Sequence, residues 1–187
     1  MTEFAYLSVL LSIILGLAVT QVLQGWRARI IYHARVRGYW PVELWSFTIL
    51  LICAQMWWAM FDLRERHEWT FGQFAALLGQ TVFMYLAAAL LYPDFWAHEA
   101  VDLRTHYFTQ ARYMFGSMCA VTVLSLIRNV LIVGELPHAL DLAFHLVFFA
   151  VALSGIVVSR ERYHKAIAVG IAGTFLVYVA SLFARLR

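Results

Sequence analysis

His98, Asp102 and His106 stand four residues apart, so on a helix they would share one face, with Glu99 beside them. Two imidazoles and a carboxylate at that spacing are donors that suit zinc or a similar divalent ion. Eight residues of straight helix, however, separate the first and third side chains by about 12 Å. Each ligand must come within about 2 Å of the ion. At most two of the three can therefore serve one site. The sequence favours instead an interfacial amphipathic helix that turns Phe95, Trp96, Leu103 and Phe108 toward lipid. No cofactor is expected.

A second set of polar residues interrupts stretches that are otherwise apolar. Arg128, followed by Asn129, precedes a short connection, Asp141 follows it, and His145 comes one turn later. Arg128 could contact an anion or a solute in a cavity, or snorkel and pair with Asp141 across the hairpin. Asp141 and Glu43 both open helices, where the macrodipole favours a carboxylate. His145 could be a ligand or a proton relay, although a lone histidine on an apolar face is more often hydrogen-bonded packing. Haem held by two histidines lacks its second ligand, because no other histidine lies deep in an apolar run. Gln55 and Gln80 fall near the middles of two consecutive runs. They could bond each other, for about 0.6 to 2 kcal/mol, or line a hydrated path.

The elements that must position these residues are six apolar runs, at about 5–24, 42–62, 71–92, 111–133, 139–159 and 165–184. Each is close to the roughly 20 residues that cross a bilayer. The chain is 63% hydrophobic, 16% aromatic and 13% charged, against about a quarter charged in soluble domains. An all-α, polytopic single membrane domain of six helices follows, since backbone amides in hydrocarbon must be satisfied within their own segment. Met1-Thr2-Glu3 lacks the basic start of a secretory signal, so the first run is expected to remain as a span. Cys53 and Cys119 lie in apolar runs without ligand-like spacing and read as small core residues.

Lys and Arg set the orientation. The first connection carries Arg27, Arg29, Arg35 and Arg37, and the fifth carries Arg160, Arg162 and Lys165. Both read as cytoplasmic, with the N-terminus outside, in a bacterial-type cytoplasmic (inner) membrane. Asp94, Glu99 and Asp102 in the third connection, and Arg185 and Arg187 at the end, run against this assignment. Trp26, Trp40, Trp69, Trp96, Tyr92 and Tyr107 read as headgroup-level anchors. The four arginines of the first connection suit anionic lipid headgroups. No base-reading fold accompanies them, so nucleic acid is not expected as a partner.

Two patterns concern assembly. Thr81, Tyr85 and Ala87 align with Thr174, Tyr178 and Ala180, and Arg64-Glu65-Arg66 echoes Arg160-Glu161-Arg162. This allows a three-plus-three inverted repeat, with a shared membrane alphabet as the competing explanation. Ala166, Gly170 and Thr174, and likewise Ala75 and Gly79, form small-residue stripes that let helices approach closely. A homo-oligomer is the expected assembly.

These features suggest a small channel or transporter for an ion or solute, with Arg128, Gln55, Gln80, His145 and Asp141 as pathway residues. The sequence contains no potassium-filter motif, phosphate loop or H-E-x-x-H. A non-catalytic membrane subunit of a larger complex is one alternative. An intramembrane lipid-modifying enzyme using His98, Asp102 and His106 is another.

Overall fold

The computed structural model describes residues 3–66, 68–94 and 100–182. It is all-α, with six helices long and apolar enough to cross a membrane. They are α1 (Glu3–Ile31), α2 (Trp40–Ala59), α3 (Phe71–Ala89), α4 (Leu103–Val133), α5 (Ala139–Val157) and α6 (Glu161–Leu182), with a short 3-10 turn, Met60–Leu63, extending α2. Pro41 sits in the first turn of α2, where a missing amide costs nothing. Thr70 and Gln73 form a reciprocal capping box that starts α3. Gly134, at φ 87°, ends α4 in the left-handed conformation that glycine adopts without strain.

The connections lie alternately at the two ends of the bundle. At one end, Val36–Arg37 pairs in parallel with Val101–Asp102, joining the first and third connections. Arg104 and Glu161 form an ion pair of 2.8 Å that adds the start of α6. At the opposite end, the Arg66 guanidinium donates to the Ile132 carbonyl (3.0 Å) and the Gln73 amide to the Leu131 carbonyl (2.8 Å). Both acceptors belong to the last turn of α4, whose carbonyls have no partner within the helix.

Packing inside the bundle departs from the sequence order. α3 lies between α1 and α4, while α2 packs on α6 and α1 and touches α3 only slightly. The expected α2–α3 pairing through Gln55 and Gln80 therefore does not form. An inverted repeat would exchange α1–α3 with α4–α6, yet α1 and α3 pack closely whereas the α4 and α6 backbones hardly approach. The repeat is not expressed in the packing. Gly25 lets α1 close on the Tyr92 ring, where a Cβ would fall 2.1 Å from the ring, too close for any side chain.

Several local expectations change. α4 begins at Leu103, two turns earlier than the hydropathy suggested, because the Asp102 carboxylate accepts from the Arg104 amide and caps it. Leu103 is fully buried instead of facing lipid. Phe108 packs on Tyr39 and His164, so no separate interfacial helix forms there; Phe95 and Trp96 lie outside the described residues. Tyr107 and Tyr92 are core residues, not headgroup anchors. Trp40 is nearly half exposed, whereas Trp26 donates to the Ser46 hydroxyl at 2.7 Å.

Candidate functional site

The polar residues inside the bundle converge on one cavity of about 100 Å³ between α2, α3, α4, α5 and α6. Trp45, Phe115, Phe148 and Phe175, with Met56, Met84 and Met118, supply its apolar walls. Gln55, Gln80, Ser125, His145 and Tyr178 supply its polar groups. A water needs about 10–15 Å³ on this measure, and benzene occupies an apolar cavity of about 150 Å³. The space therefore suits a few waters, an ion or a solute of a few heavy atoms.

Gln80 is 5% exposed and lies near the middle of α3. Its Oε1 is buried with no hydrogen-bond partner among the described residues. An orphaned buried acceptor costs about 1–3 kcal/mol, and beside a cavity a ligand or water can satisfy it. Gln55, half-buried on α2, opens onto the same space.

The opposite wall is a relay. The hydroxyl of Ser125 lies 3.0 Å from His145 Nε2. His145 Nδ1 lies 2.8 Å from the backbone carbonyl of Asp141, one turn back on the same helix, and 3.1 Å from Asp141 Oδ1. The carboxylate oxygen is off the hydrogen-bond axis, which the carbonyl occupies. Both neighbours of Nδ1 are acceptors, so the neutral ring carries its proton there. Nε2 is left to accept from Ser125. Tyr178, on α6, lies near the Asp141 carboxylate. Arg128, half-buried one turn beyond Ser125, feels both Asp141 and Tyr178 but closes no ion pair with Asp141. The sequence pairing of Arg128 with Asp141 is thus replaced by His145 with Asp141.

Toward the end that carries the first, third and fifth connections, the cavity is closed by stacked rings. Trp45 meets Phe115 edge-on at 5.3 Å, and Phe115 lies 5.6 Å from His164. His164, 1% exposed, accepts from the Tyr107 hydroxyl at Nδ1 (2.8 Å) and donates from Nε2 to the Val158 carbonyl (2.6 Å). It is a second buried histidine that hydropathy did not reveal, and both ring nitrogens are engaged. Tyr39 stacks beside Tyr107 at 5.6 Å. Burial, then the neighbouring Glu161 carboxylate, push its phenol up to about 12.

The remaining candidates lie apart from this site. Asp102 caps α4, and His106 donates to the Leu90 carbonyl at 3.2 Å, so the two do not converge. His98 and Glu99 lie outside the described residues. No cluster of three metal-binding side chains occurs among the described residues. Arg27, Arg35 and Arg37 are exposed, whereas Arg29 turns inward to the Val36 carbonyl (3.1 Å) and Glu43 (3.5 Å). Sequence reading missed Ser125, whose partner is 20 residues away on the next helix. Its signal was a small hydroxyl in an apolar run, one turn before Arg128. Compared with known proteins, the chain matches no family model, and neither a curated protein nor a solved structure is detectably similar to it.

Proposed function

We propose that this integral membrane protein transports a small solute or ion, which it holds in the cavity enclosed by α2, α3, α4, α5 and α6. The observation that carries the reading is Gln80, a buried amide whose acceptor oxygen has no partner and lies at an internal space. A purely structural subunit has no use for an unsatisfied polar group at the middle of its bundle. The ring stack of Trp45, Phe115, Tyr107 and His164 closes one end, so the arrangement suits a carrier site reached from one side better than an open pore. Arg128 and Asp141 mark the opposite end as the side of entry.

The four arginines of the first connection and the basic fifth connection support a reading with the ring-stack end in the cytoplasm and the N-terminus outside a cytoplasmic membrane. Arg27, Arg35 and Arg37 are free to meet anionic headgroups there. Association with further copies is favoured by Ala166 and Gly170 on α6, which are exposed, with open space around Gly170.

Proteoliposomes test this. Purified protein is expected to accelerate the flux of at least one probe among K+, Cl− and glycerol. Gln80→Leu and Arg128→Ala should each cut that flux at least tenfold. Well-folded wild-type protein that moves none of the three would remove the basis for transport.

A further inference from the structure

We propose that Ser125 is an activated nucleophile and that the polar end of the cavity hydrolyses carboxylic esters of single apolar chains. This activity goes beyond transport and rests on a different observation, the Ser125–His145–Asp141 geometry.

Serine and threonine hydroxyls in membrane helices ordinarily donate to a carbonyl one turn back in their own helix. Ser117 and Thr122, both earlier in α4, do so toward Tyr113 and Met118 at 2.9 and 3.0 Å. Ser125 donates instead across the hairpin to His145 Nε2 at 3.0 Å. The His145 tautomer that makes this possible is held by the Asp141 backbone carbonyl, with the carboxylate 3.1 Å away as a neighbouring negative charge. A nucleophile within hydrogen-bond reach of a base, itself oriented by a third group, defines an activated hydroxyl. Ser125 and His145 also line the cavity, so a reacting atom has room beside them. Gln55 and Gln80, which also line the cavity, carry the side-chain amides it offers to a developing oxyanion.

The class of substrate follows from the neighbouring space. An apolar groove of about 320 Å³ runs between α2 and α6, lined by Leu51, Ala54, Trp58 and Leu176. It shares Gln55 and Phe175 with the cavity, and exposed apolar side chains surround it. A single alkyl chain can lie in the groove with its ester carbonyl in the cavity, whereas the cavity alone is too small for such a molecule.

The chemistry balances without a metal or redox partner. Ser125 Oγ attacks the ester carbonyl carbon while its proton passes to His145 Nε2. The carbonyl pair becomes an oxyanion, then re-forms as the C–O bond to the alcohol breaks. The leaving alkoxide takes the proton from Nε2, and the acyl group remains on Oγ. Water then gives a proton to Nε2, attacks the acyl carbon and releases the carboxylic acid. Oγ recovers the proton.

The test uses the full chain in detergent micelles with alkyl fluorophosphonates, which lose fluoride when a nucleophilic serine attacks phosphorus. A long-chain probe is expected to leave an adduct that peptide mapping places on Ser125. Ser125→Ala should abolish it, and His145→Gln should slow it by about 10²–10⁴-fold, the usual contribution of a general base. Mapping on wild-type protein decides the matter even if Ser125→Ala folds poorly. Ala54→Trp, at a lipid-facing position, should slow labelling by the long-chain probe and spare a short-chain one. p-Nitrophenyl decanoate should be turned over by wild type and not by Ser125→Ala. Monodisperse wild type that stays unlabelled, an adduct on another residue, or Ser125 labelling indifferent to His145→Gln would overturn the nucleophile. Labelling without turnover would overturn the hydrolysis, and equal effects of Ala54→Trp on both probes would overturn the chain's placement.

Discussion

Gln80 and Asp102 show two ways in which a polar side chain in this bundle can be tested by its consequences. Gln80 carries an unsatisfied acceptor, so Gln80→Leu removes a penalty of about 1–3 kcal/mol at similar volume. Thermal unfolding in detergent should show the variant as stable as wild type or more so, even as proteoliposome flux falls. A drop in stability would mean that Gln80 is internally satisfied. Asp102 is the opposite case, a satisfied cap. Burial works against its charge, but the Thr105 hydroxyl, the Arg104 amide and the nearby Arg37 charge together outweigh it and hold its carboxyl below the usual carboxylate range. A depressed folded pKa adds stability that is present above the unfolded value and is lost as pH falls through the folded one. Asp102→Ala should therefore cost about 1 kcal/mol at neutral pH, and the difference from wild type should shrink in acid. At this scale the sequence identified Gln80, His145, Asp141 and Arg128 as exceptional, because a polar group in an apolar run is visible from composition alone. It did not identify Ser125, since a single hydroxyl is common in membrane helices and only its partner makes it unusual.

Contacts between helices depend on a few positions where no side chain fits. Gly155 on α5 packs against the Phe115 ring of α4, and a Cβ there would lie 2.8 Å from the ring. Phe115 is also a wall of the cavity and the contact between Trp45 and His164. Gly155→Leu should therefore destabilise by about 1–3 kcal/mol through overpacking, read as a lower unfolding temperature, and shift the ring stack. The corresponding change at Gly170, which meets nothing within 4 Å, should leave the unfolding of a single chain unchanged. If copies associate through α6, Gly170→Leu should lower the assembly size measured by light scattering. Hydropathy located all six helices, since each must be apolar over a bilayer thickness. It placed the start of α4 too late, because Arg104, His106 and Arg112 lower the local average although the helix already runs beneath them. It also paired α2 with α3 on order alone, whereas close packing at Gly25 and Gly79 draws α3 between α1 and α4.

Across the whole molecule, alternation of the connections makes a prediction about sidedness. Single cysteines at positions 160 and 136, in a background where Cys53 and Cys119 are replaced by alanine, should react with a membrane-impermeant maleimide from opposite sides of oriented vesicles. Reaction of both from one side would contradict six crossings. Membership of the membrane class, the number of helices and their alternation were determined by the sequence alone, because hydrocarbon demands a long apolar segment for each crossing and leaves that demand in the composition. Which helices touch, where an internal space remains, and that Ser125 meets His145 while Arg128 stays apart from Asp141 were decided only by the tertiary structure. Lipid-facing and partner-facing residues are equally apolar, so within the membrane the pairing of helices is set by side-chain shape and a few hydrogen bonds, which hydropathy does not record.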